Sequence, residues 1–583
     1  MLQVDSMRLL LLISVLSGAS WADRPYRGGV VATAHPLASE AALLMLNQGG
    51  NAVDAAVAAS FVLGVVTPYS CGIGGGGFAL VHDAKAKTDA VLDFREKAPA
   101  GAKAGMYLNR DGKPNPALST DGALSVAVPG AAAGYLELIA KYGRLTPVKV
   151  MAPAIKAARE GFWVSPRYQD NAQVRLSCLQ SNAEASRIFL RPNLAGVPEV
   201  PATGTLLKQT DLAKTLVALS RSGASAFYRG ATARAVSAAM GSSGGILNAA
   251  DLDTYRTTWR EPLRAHYRGY TLATVPPPSA GGLAVIQTLG LLEAVPVPSS
   301  FRSVNFLHRL IESWRRTYVD RARYLGDPAF VDIPLKKLMS PEHLAELSQS
   351  IQADRATPSE SLLSSQPKAA VPAPTPGAET AEPGAKRNTS HISVIDREGN
   401  AVSLTTTINY YFGSCVVVPG TGILLNDEMD DFAAAPMAAN AFGLVTGASN
   451  SIAPGKIPLS SMAPTLVFQK DHPSSVMMAV GSPGGSTIPT TVSQIIVDVV
   501  DFGMDLTRAV GLGRIHHQYL PDVVRVDRYG LEAATEDGLK ALHHTLVHED
   551  KWGDAEAVMV DPITGLHYAA SDPRNEGVGL GQD

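Results

Sequence analysis

Cysteine is scarce in this sequence. The 583-residue chain has three, Cys71, Cys178 and Cys415, far apart from one another. Their spacing matches no metal-binding motif, and three residues do not form the paired framework of a small disulfide-rich domain. The sequence therefore predicts neither a metal site nor a fold that depends on disulfides. One disulfide stays open as an alternative, but three separate thiols are the expectation.

An excess of charge of either sign is also missing. The formal net charge is −3 at pH 7, and 18% of the residues are charged. No nucleic-acid partner is predicted, because such a partner favours a strongly basic surface. Beyond the N-terminus no stretch of about 20 apolar residues occurs, which argues against a membrane-spanning helix. Hydrophobic residues, at 46%, are abundant enough for a large buried core, and the length allows several domain-sized units.

The N-terminus has the pattern of a targeting segment. A basic start precedes the apolar run Leu9–Leu16, and residues 20–22 (SWA) have the small-x-small form of a signal-peptidase site. The apolar run is too short to cross a membrane as a helix. Residues 1–22 are therefore predicted to be a signal peptide, cleaved after Ala22, and the protein to be periplasmic or secreted. An uncleaved membrane anchor is the alternative.

The first half of the chain favours helices packed on strands. Val30–Val66 predicts a strand and two Ala-rich helices, with helix starts at Ser39 and Asn51 and a stop at Gly49-Gly50. Residues 120–355 are predicted to be largely helical. The clearest helical segments are Gly130–Tyr142, Pro147–Glu160, Ser303–Asp327 and Pro341–Gln352.

Two motifs in this half raise the question of ligand binding. Cys71–Phe78 contains four consecutive glycines, but no Lys-Ser/Thr follows them, so close packing beside a strand is favoured over a phosphate loop. Val91–Glu96 predicts a strand with Arg95 at its end. Arg95 is either a surface charge or a bidentate ligand for a carboxylate.

Two further segments have a marked composition. Arginines of the segment Trp314–Arg323 predict a solvated or salt-bridged helix face. Residues 366–386 contain five prolines and six alanines and no aromatic residue. Such a segment buries too little apolar surface to order itself, so it is predicted to be a disordered linker.

Directly after this linker, Asn388–Phe432 begins with a predicted β-hairpin. His391–Asp396 and Ala401–Ile408 are rich in β-branched residues, and Gly399 marks the turn between them. If the turn centres near Glu398, facing residues have numbers that sum to 796, which sets Thr389 opposite Thr407. Facing side chains have Cβ atoms about 5 Å apart, so the two hydroxyls can meet.

A threonine at the start of this hairpin, after a flexible linker, suggests a nucleophile. Cleavage of the Asn388–Thr389 bond would give Thr389 a free α-amine, and such an amine can serve as the base for the residue's own hydroxyl. With a pKa of about 7.7–8.0, the amine is partly unprotonated at neutral pH. The alternatives are an ordinary strand residue and a glycosylation acceptor at residues 388–390.

Two later motifs also bear on chemistry. Gly481–Thr487 lies at a predicted turn from a strand into a helix. Its paired glycines, Gly484 and Gly485, present adjacent backbone N–H groups, the material of an oxyanion hole, although the motif taken alone favours a plain tight turn. His516 and His517 are adjacent on a predicted strand and therefore point to opposite faces, which argues against a shared metal ion.

Together these segments resemble the γ-glutamyltransferases (γ-glutamyltranspeptidases), which are N-terminal-nucleophile hydrolases. The resemblance covers nearly the whole chain after residue 22. It is carried by NAVDAAVAASFVLGVVTPYSCGIGGGGF, FREKAP, PPPSAGG, TSH at Thr389, GNAVSLTTTIN, GILLNDEMDDF, PLSSMAPT, GSPGGS and ASDPR. It implies an α/β fold, a four-layer αββα sandwich. It also implies a precursor that cuts itself into a large subunit, 23–388, and a small subunit, 389–583, which form one catalytic heterodimer.

The resemblance also implies a role for each motif residue. Thr389 is expected to be the nucleophile, assisted by Thr407, and Gly484 and Gly485 to form the oxyanion hole. The α-carboxylate of the γ-glutamyl group is expected to bind Arg95, Ser460 and Ser461. Its α-ammonium is expected to bind Asn409, Glu428 and Asp431.

The implied reaction is γ-glutamyl transfer from glutathione and related γ-glutamyl compounds to amino acids, dipeptides or water, without a cofactor. An acylase for glutaryl β-lactams is the nearest alternative, but its substrate has no α-ammonium. A catalytically inert binding protein on the same scaffold is the other alternative. This chain departs from the common family pattern at Ser390, at Glu428 and at Phe442 of the loop, where some members have threonine, glutamine and tyrosine.

Overall fold

The computed structural model describes residues 24–362, 389–435, 438–440, 443–528, 530–550, 552–574 and 576–583. The predicted signal peptide and the predicted linker lie outside these ranges, and so do Asn388 and Phe442. Within the described ranges, no helix has both the length and the apolar character that crossing a membrane requires.

The strands, in chain order, are β1 (Val30–Thr33), β2 (Gly76–Asp83), β3 (Thr88–Asp93), β4 (Phe162–Trp163), β5 (Arg191–Pro192), β6 (Pro198–Glu199), β7 (Leu206–Leu207), β8 (Thr258–Arg260), β9 (Leu263–Tyr267), β10 (Tyr270–Thr274), β11 (Ser390–Ile395), β12 (Ala401–Thr407), β13 (Val417–Val418), β14 (Ile423–Leu424), β15 (Thr465–Phe468), β16 (Val476–Gly481), β17 (Ile515–His516), β18 (Val524–Asp527), β19 (Leu546–Glu549), β20 (Glu556–Val560), β21 (His567–Ser571) and β22 (Val578–Gly581).

The α-helices are α1 (Pro36–Asn47), α2 (Ala52–Val66), α3 (Pro116–Thr120), α4 (Ala131–Tyr142), α5 (Pro147–Glu160), α6 (Pro166–Val174), α7 (Leu176–Ser181), α8 (Ala183–Phe189), α9 (Thr210–Ser222), α10 (Ser225–Tyr228), α11 (Gly230–Ser242), α12 (Ala249–Thr254), α13 (Gly281–Glu293), α14 (Val304–Tyr324), α15 (Leu335–Leu338), α16 (Pro341–Gln349), α17 (Ile488–Val500), α18 (Leu506–Gly511) and α19 (Ala533–Ala541).

Two antiparallel sheets form the centre of the fold. One has seven strands in the order β22-β1-β11-β12-β2-β3-β8, and the other has six in the order β21-β20-β16-β15-β10-β9. The predicted hairpin, β11 and β12, therefore lies in the middle of the seven-stranded sheet. Its register pairs Ser393 with Ser403 and Ser390 with Thr406, which confirms the pairing rule derived from the sequence.

Each sheet has one face against helices and one face against the other sheet. Ile392 and Val394 of β11 pack into a core with α1, α2 and α4. Ile395, on the opposite face of the same strand, packs with residues of the second sheet, which is covered on its far side by α13, α14 and α17. Alternation along a strand explains how one hairpin serves two cores. The α/β four-layer αββα sandwich is thereby confirmed.

The helix boundaries follow local capping signals, with one correction. Asn51 caps α2 in a capping box with Asp54, as the sequence indicated. The predicted start at Ser39 is wrong, because α1 begins at Pro36 and the His35 side chain accepts a hydrogen bond from the Leu37 N–H. A proline at the first helical position is itself a start signal, and it outweighs the serine three residues later.

The glycine run packs closely against the hairpin, as predicted. A Cβ on Gly75 would lie 1.8 Å from the Thr407 carbonyl oxygen, and one on Gly77 would lie 2.2 Å from that of Thr405. Only glycine therefore lets β2 and the segment before it approach β12 this closely.

The basic helix face of α14 is salt-bridged, but it is not solvated. Arg315 and Arg316 are each 2% exposed. Both pair with Glu312 on the same helix, at 3.0 and 2.6 Å. The sequence indicated the helix and its arginines, but not their burial under neighbouring segments.

The expectation of three separate thiols is wrong. Cys178 in α7 and Cys415 form a disulfide across 237 positions of sequence, and Cys71 is a buried free thiol. Proximity of the two cysteines arises from packing of α6 to α8 against the loop after β12, and no local pattern encodes it.

Candidate active site

The nucleophile candidate lies at one end of the central hairpin. Thr389 immediately precedes β11, and Thr407 is the last residue of β12. Their Oγ1 atoms are 3.2 Å apart, and the two residues are 6% and 1% exposed. Because side chains alternate along a strand, both hydroxyls point to the same side as His391 and Ser403, towards the second sheet.

The turn after β12 holds the Thr407 hydroxyl in place. The Asn409 N–H donates to Thr407 Oγ1 at 2.8 Å, and the Asn409 side-chain amide donates to the Asp427 carbonyl at 3.0 Å. Asn409 adopts a left-handed backbone conformation, with φ at 74°, which asparagine tolerates better than most residues. The strained turn thus links the hairpin end to the segment that carries Glu428.

A buried arginine cluster lies at the same edge of the sheet. Arg95 follows β3, pairs with Glu428, and lies 2.5 Å from Asp431 and 3.5 Å from Glu96. Glu96 sits over the start of β2: a Cβ on Gly76 would lie 2.5 Å from its Oε2, and Gly76 pairs with Thr407 in the sheet. The register therefore brings the arginine cluster next to the threonine pair.

The cluster sets one cation against three carboxyls in a dry environment. Burial raises the pKa of Glu96 to about 7 and that of Glu428 well above its usual range. Burial likewise raises the pKa of Asp431, although the Arg95 guanidinium opposes this rise. Burial acts to lower the pKa of Arg95, but attraction to the three carboxyls outweighs it and raises that pKa. Such a cluster offers both poles that a zwitterionic ligand needs.

Asparagines connect this cluster to the loop that carries the two predicted serines. Asn440 donates to Asp431 Oδ1 at 3.1 Å. Asn450 donates to the Asp431 carbonyl at 2.7 Å and accepts from the Leu459 N–H at 3.1 Å. Ser460, the next residue after Leu459, is 1% exposed, and Ser461 is 8% exposed.

The Ser460 loop runs along the PPPSAGG segment. The Ser460 N–H donates to the Pro278 carbonyl at 2.9 Å, and its hydroxyl accepts from the Met462 N–H at 3.1 Å. The loop leads into β15, whose first residue, Thr465, donates its N–H to Ser403 Oγ at 3.1 Å. The loop therefore reaches β12 at Ser403, and among the described residues no hydrogen bond joins the Ser460 or Ser461 side chain to Arg95.

The predicted oxyanion turn follows β16 on the same side. The ring of His391, two residues after Thr389, lies 2.2 Å from where a Cβ on Gly481 would be. Gly484 and Gly485 come three and four residues later, with φ of 127° and 56°, a left-handed region that favours glycine. Strand β16 therefore starts its glycine turn where the nucleophile strand begins.

Two residues of this region were not predicted. Glu96 contacts Arg95 and was visible only as the neighbour of Arg95 in the FREKAP motif. His391 bonds Thr405 Oγ1 at 2.9 Å and Ser393 Oγ at 3.0 Å. Burial lowers the pKa of His391 to about 3, so this ring is neutral at neutral pH. A lone histidine in a strand gives no signal in sequence for such a position.

The later residues His516 and His517 contact different partners, although only His516 lies in strand β17. His516 Nδ1 is 2.8 Å from Thr490 Oγ1, whereas His517 Nε2 is 3.2 Å from Asp522 Oδ1. Among the described residues no group of three or more His, Cys, Asp or Glu side chains is arranged to hold a metal ion.

Comparison with known proteins places this arrangement in a family. The sequence model described as gamma-glutamyltranspeptidase matches residues 38–582. The glutathione hydrolase proenzyme of Pseudomonas sp. (strain A14) is 38% identical over 574 residues, which cover 97% of this chain and 96% of that protein.

Acylases are similar as well. The acylase ACY 1 proenzyme of Pseudomonas sp. (strain SE83) is 36% identical over 500 residues, 84% of this chain and 82% of that protein. The crystal structure of cephalosporin acylase from Bacillus halodurans has a TM-score of 0.81 at 26% identity and covers 96% of this chain and 97% of that one. With a family model matched from residue 38 to residue 582, the chain belongs to the γ-glutamyltranspeptidase family.

Proposed function

We propose that this protein is a γ-glutamyltransferase and glutathione hydrolase that works through a γ-glutamyl ester on Thr389. The observation that carries the proposal is the buried pair of Thr389 and Thr407 hydroxyls, 3.2 Å apart, beside a cluster of Arg95 with Glu428 and Asp431. A hydroxyl nucleophile and a site for both poles of an amino acid are the two parts that the reaction requires.

The reaction uses the free α-amine of Thr389 as its base. The amine takes the proton of Oγ1 as that oxygen attacks the γ-carbonyl carbon, and the negative charge that forms on the carbonyl oxygen is stabilised by the N–H groups of Gly484 and Gly485. The C–N bond then breaks, and the leaving amine departs with the proton. Water or the amino group of an amino acid or dipeptide attacks the resulting ester and regenerates Thr389. Thr407 donates a hydrogen bond to the nucleophile.

The arginine cluster binds the amino-acid end of the donor. Arg95, with Ser460 and Ser461, binds the α-carboxylate, and Asn409, Glu428 and Asp431 bind the α-ammonium. When the zwitterion binds, its carboxylate pairs with the arginine and its ammonium pairs with the carboxyls. No charge is then left unpaired in the dry pocket. A donor without either pole loses this compensation.

The same hydroxyl makes the cut that exposes the amine. Thr389 Oγ1 attacks the carbonyl carbon of Asn388, the peptide nitrogen leaves with a proton, and water opens the resulting ester. The products are a large subunit, 23–388, and a small subunit, 389–583, which stay together as a heterodimer. Both sheets contain strands from each side of the cut, so separation of the two subunits would expose both cores.

The test is a set of substitutions at Thr389 in the purified precursor. Thr389→Ala should remain one chain and show no turnover, because both reactions use the same oxygen. Thr389→Ser keeps the oxygen but loses the methyl group that restricts χ1, so it should cut and turn over more slowly. Ser390→Ala, one residue away on the opposite face of the hairpin, is the matched control and should cut normally. Cleavage of Thr389→Ala at the same bond would show that an outside protease makes the cut.

An acylase activity on glutaryl amides is the second candidate, favoured by the similarity to cephalosporin acylase over 96% of the chain. The buried carboxyls of Glu428 and Asp431 argue against it, because a glutaryl group has no ammonium to pair with them. Hydrolysis of γ-glutamyl-p-nitroanilide and of glutaryl-p-nitroanilide, with and without glycylglycine, separates the two activities. Turnover of the glutaryl compound alone would exclude the proposed function.

Export is part of the proposal, because residues 1–22 have the pattern of a signal peptide. The mature enzyme then acts on γ-glutamyl compounds in the periplasm or outside the cell. Mass spectrometry of the exported protein should find Asp23 at the N-terminus of the large subunit. Retention of Met1 or Met7 would contradict export by this route.

A further inference from the structure

The disulfide joins two parts of the chain that lie on opposite sides of Thr389. Cys178 belongs to α7, and Cys415 follows the nucleophile hairpin. If the chain is cut at Thr389, as proposed above, these cysteines belong to different subunits. The bond then links the large and the small subunit covalently.

The bond also ends the loop that carries Asn409. Between β12 and Cys415 the backbone is left-handed at Asn409, Phe412, Gly413 and Cys415, with φ of 74°, 56°, 48° and 57°. For residues other than glycine this conformation is unfavourable and persists only where the surroundings impose it. One end of the loop is held by Thr407, through the Asn409 N–H, and the other end is held by the disulfide.

Arg175, three residues before Cys178, supports the same end of the loop. Its Nη2 donates to the Gly413 carbonyl at 2.9 Å and lies 3.2 Å from Cys178 Sγ. Its guanidinium also packs over the Tyr410 ring, 5.0 Å from the centroid. The pair Asp121 and Arg175, at 2.8 Å, ties this group to the C-terminal end of α3, where Ser119 donates to Asp430 at 2.6 Å. Arg175 thus links the disulfide to both segments that carry the ammonium-binding residues.

We propose that the Cys178–Cys415 disulfide is an inter-subunit bond that positions the Asn409 loop for donor binding. The inter-subunit character of the bond rests on the proposed cleavage, but its positioning role does not. Its residues touch the binding loop and not the reacting atoms, so they act as positioning residues.

Formation of the bond requires an oxidant. For an exported protein, this oxidant is the disulfide of another protein. One cysteine thiolate attacks the oxidant's disulfide and forms a mixed disulfide, and the second thiolate displaces the oxidant as a dithiol, so two electrons and two protons leave the chain. Once formed, the bond is shielded, because Cys178 is 7% exposed and Cys415 is 1% exposed. A thiol substrate such as glutathione therefore cannot reach the sulfur atoms in the folded protein.

The first experiment is electrophoresis of the mature enzyme, denatured with and without reductant after incubation with glutathione. One band of the full mature size that separates into two upon reduction supports the link. Two bands under both conditions would overturn it while leaving the cleavage intact. One band under both conditions would instead contradict the cleavage.

Alkylation of the denatured, unreduced protein decides the disulfide even in the uncut chain. Modification of Cys71 alone supports the bond, and modification of all three cysteines overturns it.

The positioning role is tested by kinetics. Cys178→Ala/Cys415→Ala should raise the donor KM by about tenfold, because loosely held binding groups lose orientation, while kcat changes less. Equal loss of kcat and kcat/KM, or no change in either, would overturn the positioning role. Arg175→Met should show the same division between KM and kcat.

Discussion

At the scale of the residue, Arg95 is the centre of the proposed binding site. It is 1% exposed and faces Glu96, Glu428 and Asp431. Arg321 also attracts the Asp431 carboxyl, and burial raises the pKa of each of the three carboxyls. In the proposed function, the ammonium of the donor supplies a further cation to this cluster.

We predict that Arg95→Ala and Asp431→Ala each raise the KM for γ-glutamyl donors strongly, on the order of 10²-fold, because loss of one partner leaves a buried charge unpaired. Cleavage before Thr389 should continue in both variants. Steady-state kinetics with γ-glutamyl-p-nitroanilide and electrophoresis of the purified protein measure the two effects.

Arg144→Ala is the matched control for these variants. Arg144 also pairs with a glutamate, Glu398, but their side chains are 45% and 52% exposed, and exposed pairs contribute little. Its kinetics should equal those of the wild type. Unchanged kinetics in both Arg95→Ala and Asp431→Ala would refute a site that reads the zwitterion.

At the scale of the element, the proposed site depends on how strand β16 lies on the hairpin of β11 and β12. Ser403 Oγ donates to the Val480 carbonyl at 3.1 Å, and Gly481 gives room for the His391 ring. These contacts set the height of β16, and therefore of the Gly484–Gly485 turn, relative to Thr389.

Gly481→Ala should consequently lower both stability and kcat. Its Cβ would lie 2.2 Å from the His391 ring, so β16 has to shift, at a typical expense of about 1–3 kcal/mol for overpacking. The shift displaces the oxyanion turn, so kcat should fall more than KM rises. Thermal unfolding and kinetics on the same preparation test this.

Gly241→Ala provides the comparison, since a Cβ there meets no atom within 4 Å and the position lies in α11. It should leave kinetics unchanged and stability equal or slightly higher, as alanine is the better helix former. A Gly481→Ala protein with normal kcat would mean that β16 does not set the position of the turn.

At the scale of the whole molecule, the layer between the sheets holds two buried titratable residues, His391 and Glu556. Burial shifts their pKa values in opposite directions. Burial lowers the pKa of His391 to about 3. Burial raises the pKa of Glu556 well above its usual range. Ser393 lies between them, with its hydroxyl donating to the Glu556 carbonyl at 2.9 Å. His391 is therefore neutral in the folded protein at neutral pH, and Glu556 keeps its proton to a higher pH than an exposed glutamate does.

We predict that these two residues contribute to stability with opposite dependence on pH. Unfolded His391 takes up a proton below its ordinary pKa of 6.5, but the folded form does not until about pH 3. Its contribution is complete above pH 6.5 and should fall by about 1.4 kcal/mol per pH unit below it. The destabilisation caused by His391→Gln should therefore shrink from pH 7 to pH 5.

Glu556→Gln should show the reverse trend. In the wild type the unfolded Glu556 ionises near pH 4.5 while the folded form keeps its proton, so the carboxyl is increasingly unfavourable as the pH rises. The variant, which has no such group, should gain stability relative to the wild type between pH 5 and pH 7. Thermal midpoints at fixed protein concentration, with exposed His472→Gln as control, give the slopes. Parallel slopes for wild type and both variants would contradict the assignment.

The sequence by itself determined most local features. β-Branched alternation and one glycine turn predicted the hairpin with its correct register, and the capping residues around Asn51 predicted the start of α2. These features depend on neighbours in the chain, so they are legible without the fold. The resemblance carried by FREKAP, GILLNDEMDDF and the other motifs then implied the four layers and named candidate residues that the fold brings to one edge.

The tertiary structure alone decided which distant residues meet. The Cys178–Cys415 bond, the burial of Arg315 and Arg316, the contact of Glu96 with Arg95 and the packing of His391 on Gly481 have no local signature. Each depends on how helices and sheets stack, and stacking is driven by apolar burial, which is not directional and leaves no pairing code in the sequence. The chemistry of single residues was therefore predictable from the sequence, but which distant residues lie in contact was not.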